Sequence, residues 1–450
     1  MSVRAYRFPS METVLRYRYR AYPGAVETRA LSRTFGCCRV VANDAIAARQ
    51  NAFETGLPAL SSKVLSARLT ASKLTPERAW LAEVSAVPLQ QALKDVDVAY
   101  PNFFSSRKGK RKGPKMGPPK FRSRHTTRQS ARFTKNARFK IEGAVGDSSD
   151  GWARLFLPKI GWVPFVLSRP LPSNPTSVTV VREADGRTYL SFVVTVIDVQ
   201  QVAAGRVCGI DPGLSTYATV LSVDTSTGVE TEGTIDTPMF LRRRARALAR
   251  SQRTLSRKKK GSRNRVKAKI RVAVLHRKVR EARLDHAHQR AAEIVAAHDI
   301  IAIETLHVAG MVRTNLAKSV HDQAMAQFLR LIVEKAGRAG RTVVPVGRFY
   351  PSTQTCSACQ ALTGPKGLAG LGVRHWTCTT CGVTHDRDVN AARNILTEGL
   401  RLPALTGHPS SVADGQSETP NACGVEVRPP ETVALDVEPG RTHGGQSCAA

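Results

Sequence analysis

The chain has 450 residues, with 68 Lys and Arg against 35 Asp and Glu and a formal net charge of +33. That length allows several domains and a substantial core, and the charge points to a polyanionic partner rather than a cationic or lipid-tail one. No apolar run approaches the ~20 residues needed to cross a bilayer, and MSVRAYRFPS leads into no signal-peptide core, so a cytosolic protein with no membrane partner is expected.

In chain order, VLRYRYRAYPG (14–24) alternates apolar or aromatic residues with Arg, as a half-exposed strand does. From Val26 to about Ala99 the spacing turns helical, in LSRTFGCCRVVANDAIAARQNAF and LQQALKDVDVAYPNFF. The block SSRKGKRKGPKMGPPKFRSRH (105–125) is too rich in Gly and Pro for a long helix. Short strands follow in ARFTKNARFKIEG, WARLFLPKIGWVPF, SVTVVREADG and TYLSFVVTVI, so a β-barrel interrupted by helices is expected. Near Gly205 a new unit starts: RVCGID as a strand, STYATVLSVDTSTGVETEGTI as a hairpin, and Pro238–His298 as a long basic helical region. DIIAIETL (299–306) reads as a buried strand, Ser319–Ala339 as one helix and RTVVPVG (341–347) as another strand, an α/β alternation. Beyond Leu402 the composition of a disordered tail is expected over 403–450.

The charge is concentrated. Residues 101–140 carry 14 Lys and Arg and no acid, and 241–290 carry 20 against Glu281 and Asp285. Two dense blocks suggest two surfaces that track phosphates, although basic linkers would give the same composition. The expected contacts are Lys108, Lys110, Arg111, Lys112, Lys120 and Arg122 in the first block, and Arg257, Lys258, Lys259, Lys260, Arg263 and Arg265 in the second. Phe103, Phe104, Phe121 and Phe133 are candidates for base stacking.

Nine cysteines are present, four of them in C-x-x-C pairs: Cys356, Cys359, Cys378 and Cys381. This is metal usage in a reducing compartment, and four thiolates at this spacing close a tetrahedral zinc site that is structural rather than catalytic. His375 and His385 then fall outside the filled coordination shell.

Three acids carry a second signal. Asp211 ends an apolar strand before Pro-Gly, and Glu304 follows the apolar run IIAI, where a lone buried carboxylate is costly unless a cation compensates it. Asp388, in HDRDVNAARNI, is the third candidate, though an Asp there also suits a helix cap. If the three converge, they can hold two Mg or Mn ions, and such a pair supports phosphodiester hydrolysis.

The stretches RYRYRAYP, FGCCRVVANDAIAAR, PKFRSRHTTRQSARFT, GIDPGL, RKVREARLDHAHQRAAEIVAAHDIIAIETL, FYPSTQTCSACQ and CTTCGVTHDRDVNAARNIL resemble, in one order over about residues 14 to 400, the TnpB family. These are transposon-encoded RNA-guided nucleases, formerly described as OrfB transposases and related to type V CRISPR effectors. The resemblance implies a multidomain α+β fold: a wedge or OB-like β-barrel (14–25 and 130–200) with a helical recognition lobe and basic loop (26–129). An RNase H-like RuvC nuclease domain (205–350 and 386–400) would follow, carrying an inserted four-cysteine zinc ribbon (351–385) that binds target nucleic acid. It implies Asp211, Glu304 and Asp388 as catalytic, metal-binding residues, and the match of D-x-N-A-A favours Asp388 over Asp386. Asn390 and Arg387 are expected to support the site. A guide RNA from the transposon end, a double-stranded DNA target beside a short flanking motif, and a monomer with its RNA are further expectations. ETLHVAGM departs from the family, which often has an acid and Asn after the Glu. A guide-dependent DNA-binding regulator that does not cut, a transposase acting in strand transfer, and a sugar-kinase-like ATPase are the alternatives; the last lacks a further Gly-rich phosphate loop.

Overall fold

The computed structural model describes residues 12–401 apart from 112, 114, 125–127, 144–150, 307–310, 312–316 and 368, so the expected tail at 403–450 and the HVAG of ETLHVAGM lie outside the described residues. Strand β1 (Glu12–Ala21) follows its alternation: Leu15, Tyr19 and Ala21 are buried while the arginines between them lie half-buried on the other face. It pairs antiparallel along its whole length with β7 (Thr188–Ile197), from Glu12↔Ile197 to Ala21↔Thr188. Around this pair stand β2 (Gln129–Thr134), β3 (Lys140–Glu142), β4 (Trp152–Leu157), β5 (Gly161–Val166) and β6 (Ser177–Arg182). The order is β2-β6-β7-β1-β5-β4-β3, all antiparallel. The expected barrel is therefore an open half-barrel: the sheet's two end strands, β2 and β3, do not pair with each other among the described residues.

Between β1 and β2 the chain forms α1 (Ala25–Glu54), α2 (Ser62–Ser72) and α3 (Ala86–Arg107). Leu31, Phe35, Cys38, Val41 and Ala45 make one face of α1 and meet Leu89, Leu93 and Val96 of α3 and Phe133, Phe165, Val178 and Phe192 of the sheet in one apolar core. Phe133 is completely buried there, so it is not available for base stacking, whereas Phe104 and Phe121 are exposed.

The second sheet holds β8 (Arg206–Asp211), β9 (Thr216–Asp224), β10 (Glu230–Asp236), β11 (Ile300–Glu304) and β12 (Thr342–Val346) in the order β10-β9-β8-β11-β12. β8, β9 and β10 form an antiparallel meander, while β11 runs parallel to both β8 and β12. Alternation sorts the central strands onto two covered faces. Cys208, Ile210, Ile301 and Ile303 pack under α5 (Arg263–Ala297) and α7 (Met325–Ala339). On the other face Val207 and Ala302 meet Ala392, Ile395 and Leu396 of α8 (Arg387–Arg401). Fully burying Ile395 and Leu396 contributes about 1.5–3 kcal/mol each.

The helix expected over Ser319–Ala339 is two: α6 (Ala317–Gln323) and α7 are separated by Ala324, whose φ of 53° is left-handed. Before α5, α4 (Phe240–Ser256) has no buried residue and pairs with α5 as a basic hairpin. β13 (His375–Thr377) and β14 (Thr384–Asp386) form a separate two-stranded ribbon just ahead of α8.

Candidate active site

Asp211 and Glu304 are the last residues of β8 and β11, and the register Ile210↔Ile303 makes them the next neighbours across that parallel pair. The third acid comes from α8. Asp386 accepts hydrogen bonds from the backbone N–H of Asp388 and Val389, both at 2.9 Å, so Asp386 caps the helix. Asp388, two residues further on in the first turn, is released from capping. Asp386 is thus occupied as the helix cap, and Asp388 is not.

What brings Asp388 to the strand tips is a close approach of backbones. A Cβ at Gly209 would lie 2.2 Å from the carbonyl oxygen of Ala392 and 2.8 Å from Leu396, so only glycine lets α8 lie directly on β8. At the other end Gly399 plays the same part against Ala302. Gly213, whose Cβ would sit 2.8 Å from the carbonyl of Thr216, tightens the turn after Asp211.

The acids interact. Burial, then the charges of Glu304 and Asp388, push the Asp211 carboxyl up to about 8, with Arg387 opposing them. Burial also raises Glu304. Arg374 reaches in from the ribbon, donating to Asp388 Oδ2 at 2.9 Å and to Ser215 Oγ at 2.6 Å. It is held there by its own backbone, since Arg387 N–H donates to the Arg374 carbonyl at 2.7 Å. Asp211 thus lies within reach of two like charges, which a multivalent cation would relieve, while among the described residues only the four cysteines bring their ligand atoms within 4.8 Å of one another.

Sequence reasoning missed Arg374, Ser215, Asp322, Gln323 and Asn394. Asp322 is buried and accepts from the N–H groups of Leu241 and Arg242 at 2.8 and 3.1 Å, capping α4 from outside, with Arg283 beside it. Gln323 Nε2 donates to the Leu214 carbonyl and to Thr237 Oγ1, both at 2.8 Å, and so fixes the loop that follows Asp211. A buried Asp-Gln pair at a helix end was the available signal, in VHDQ. Asn390 and Asn394, one helical turn apart, face the ribbon: Asn390 Oδ1 accepts from Ser357 N–H at 2.9 Å and both amides donate to the Thr355 carbonyl. Asn390 therefore ties the ribbon to α8.

Within the ribbon Cys356, Cys359, Cys378 and Cys381 bring their sulfurs within 4.8 Å of one another. The Cys356–Cys381 and Cys359–Cys378 separations are 3.7 and 3.6 Å. A tetrahedron with 2.3 Å metal–sulfur bonds has edges of about 3.8 Å, so the cluster is compatible with a structural zinc. His385 is buried with Nε2 at 3.1 Å from Cys356 Sγ, in position to support a thiolate, and His375 is exposed.

Of the expected phosphate contacts, Lys108, Lys110, Lys120, Arg257, Lys258, Lys259, Lys260 and Arg263 are exposed, and Arg111 is half-buried. Lys112 lies outside the described residues. Arg265 is occupied within its own turn, donating to the carbonyls of Leu255 and Lys258, and Arg122 is tied to Asn43 through its backbone. No helix among the described residues is long and apolar enough to cross a membrane.

Comparison with known proteins adds a family. A Streptomyces pristinaespiralis protein named "Putative RNA-guided DNA endonuclease" is 37% identical over 392 residues, covering 86% of this chain and 90% of its own. The chain belongs to the TnpB family. The Escherichia coli relative InsQ, with the same name, is 28% identical over 86% of this chain and 93% of its own, and the TnpB-like protein L79 of a mimivirus is 28% identical over 52% of this chain. Family models match in three places: "Probable transposase" of the OrfB type at 191–315, "Cas12f1-like, TNB domain" at 326–395 and "Helix-turn-helix domain" at 11–57. Within the last match this TnpB chain forms β1 and the single long helix α1. A Cas12f1–sgRNA–target DNA complex aligns with a TM-score of 0.46 at 14% identity, over 86% of this chain and 98% of that one.

Proposed function

We propose that this TnpB-family protein is an RNA-guided, divalent-metal-dependent DNA endonuclease of the RuvC type, encoded by an insertion-sequence transposon and cutting target DNA next to a short flanking motif. The observation that carries this reading is that Asp211 and Glu304 end neighbouring parallel strands, with Asp388 of α8 close enough for both other acids to raise the buried Asp211 carboxyl. The names of the relatives support it. The mixed five-stranded sheet covered by helices supports reading 205–350 and 386–400 as an RNase H-like nuclease domain, 351–385 as its zinc ribbon, and 14–25 with 130–200 as the wedge around the helical lobe 26–129.

In the proposed mechanism Asp211, Glu304 and Asp388 hold two Mg or Mn ions, for which an all-oxygen donor set is suited. Bound there, the ions would activate a water and stabilise the leaving oxygen of the phosphodiester. Asp386 keeps the N-terminus of α8 formed, so that Asp388 stays directed at the strand tips. Gln323 holds the loop after Asp211. Arg374 occupies an oxygen of Asp388 and gives it up when the acids are needed as ligands, leaving a guanidinium free beside the substrate phosphate. The exposed Lys and Arg of the loop after α3 and of the α4–α5 hairpin grip guide RNA and target through their backbones, because pairing itself reads the sequence.

The test uses protein purified with its co-transcribed RNA. Matching DNA is expected to be cut in Mg, and Asp211→Ala or Glu304→Ala to abolish cutting while target binding persists. Cutting that survives in both variants would overturn the assignment.

A further inference from the structure

The turn that follows β12 carries two side chains that the site above does not use. The Gly347 carbonyl accepts a hydrogen bond from Tyr350 N–H at 3.0 Å, so Arg348 and Phe349 occupy the two corners of a β-turn. Neither supplies turn chemistry, since such corners favour Pro, Asn, Asp, Ser or Gly. Phe349 is 89% exposed, with the Arg348 guanidinium carbon 5.3 Å from its ring centre. The turn is anchored on its far side: Tyr350 packs against Ala302, Val346 and Ile395. The aromatic ring is thus held in water at the tip of an anchored turn, with little of its surface covered.

Its position identifies a partner. Val346, the last residue of β12, pairs with Glu304 across the sheet. One strand spacing of about 4.8 Å and three Cα steps of about 3.8 Å place the Cα of Phe349 no more than about 16 Å from that of Glu304. That is a span of a few nucleotides. We infer that Arg348 and Phe349 form a binding site for single-stranded DNA near the three acids, with Phe349 stacking on a base beside the scissile phosphodiester and Arg348 meeting the adjoining phosphate. The inference rests on reading Asp211, Glu304 and Asp388 as the cutting centre. Stacking accepts every base, because each has a π-face, so such a platform positions a strand without imposing sequence on it. The neighbouring cation strengthens a stack by adding its own attraction to the base and phosphate.

The experiment places 5-iodouracil at single positions around the cut in target DNA bound to the protein–RNA complex carrying Asp211→Ala. Photo-crosslinking to the Phe349 peptide is expected to peak at one or two positions flanking the cut, and to vanish in Phe349→Leu. In the cutting-competent protein, Phe349→Leu is expected to slow cutting about 10-fold or more and to scatter the cut positions, with Phe349→Tyr restoring both. Guide affinity and the melting temperature stay unchanged in each. Wild-type rate and cut position in Phe349→Leu, or crosslinks spread evenly over all positions, overturn the inference and leave the cutting centre standing. Cutting that survives in both Asp211→Ala and Glu304→Ala overturns both readings.

Discussion

Asp211 is the residue whose environment departs furthest from that of a free side chain in the proposed site. Its carboxyl, pushed up to about 8, lies far above the value near 4 that it has in the unfolded chain. The metal-free native state therefore keeps a proton that the unfolded state releases. The stability this provides is complete below about pH 4 and is lost as the pH rises towards about 8. Chelated protein is expected to melt several degrees lower at pH 8 than at pH 5, and Asp211→Asn, which carries no charge to repel its neighbours, to remove most of that slope. Adding Mg at pH 8 is expected to raise the melting temperature of the wild type and hardly that of Asp211→Asn. Parallel pH slopes in the two chelated proteins, followed by differential scanning fluorimetry, would refute the account. Arg374 gives a second prediction at this scale, because it holds the Asp388 oxygen that an ion needs. Removing it in Arg374→Ala is expected to tighten Mn binding to nucleic-acid-free protein by a few-fold, a modest gain because the arginine side of the pair is partly exposed. Electron paramagnetic resonance titration of free Mn reads this directly, and an unchanged affinity would show that the arginine does not compete.

At the scale of elements, the contact between β8 and α8 is the one that assembles the acids, and it turns on Gly209. An added Cβ would meet the Ala392 carbonyl at 2.2 Å, and backbone cannot step aside as a flexible side chain can. Relief to an ordinary contact of 3.4 Å requires α8 to retreat by more than 1 Å, carrying Asp388 with it. Gly209→Ala is expected to cost about 1–3 kcal/mol or more in stability and to lower cutting about 100-fold where the protein still folds. Gly233→Ala, on β10 with its nearest neighbour at 3.8 Å, is the control that should be nearly neutral. A Gly209→Ala protein cutting at the wild-type rate would show that the helix position is not critical. This contact also marks where sequence reading reaches its limit. GID and IIAIE announce buried strands with an acid at the tip, because apolar runs and a terminal charge are local patterns. That Gly209 exists for Ala392, far along the chain, is a packing fact with no local signature. The break at Ala324 was equally hidden, since the apolar spacing runs through HDQAMAQFLRLI without a Gly or Pro to interrupt it.

Across the whole molecule, legibility followed the range of the interaction. Paired cysteines report their own cluster, because four sulfurs at knuckle spacing have one economical use. Charge blocks report that a surface is basic but not how it is shaped, and the structure resolves the second block into a hairpin. On α4, Arg243, Arg246, Arg250 and Arg253 are all exposed and recur at helical spacing along one face. The stripe lies opposite the half-buried Leu241, Ala245, Leu248 and Leu255, and the helix's N-terminus is fixed by Asp322 from the same segment that supplies Gln323 to the Asp211 loop. A ligand that lies along α4 is thereby held in fixed relation to the acids. If each of these arginines meets a phosphate, replacing Arg243, Arg246 and Arg250 together with Ala should flatten the dependence of log affinity on log salt by about 2 to 3, at roughly 0.7–0.9 per contact. The affinity of the RNA-bound protein for its target, measured over a range of KCl concentrations, gives that slope. Replacing Arg265, which already serves the carbonyls of Leu255 and Lys258, should instead lower stability and leave the slope where it was. An unaltered slope in the triple variant would mean that the hairpin faces solvent and that the channel lies elsewhere.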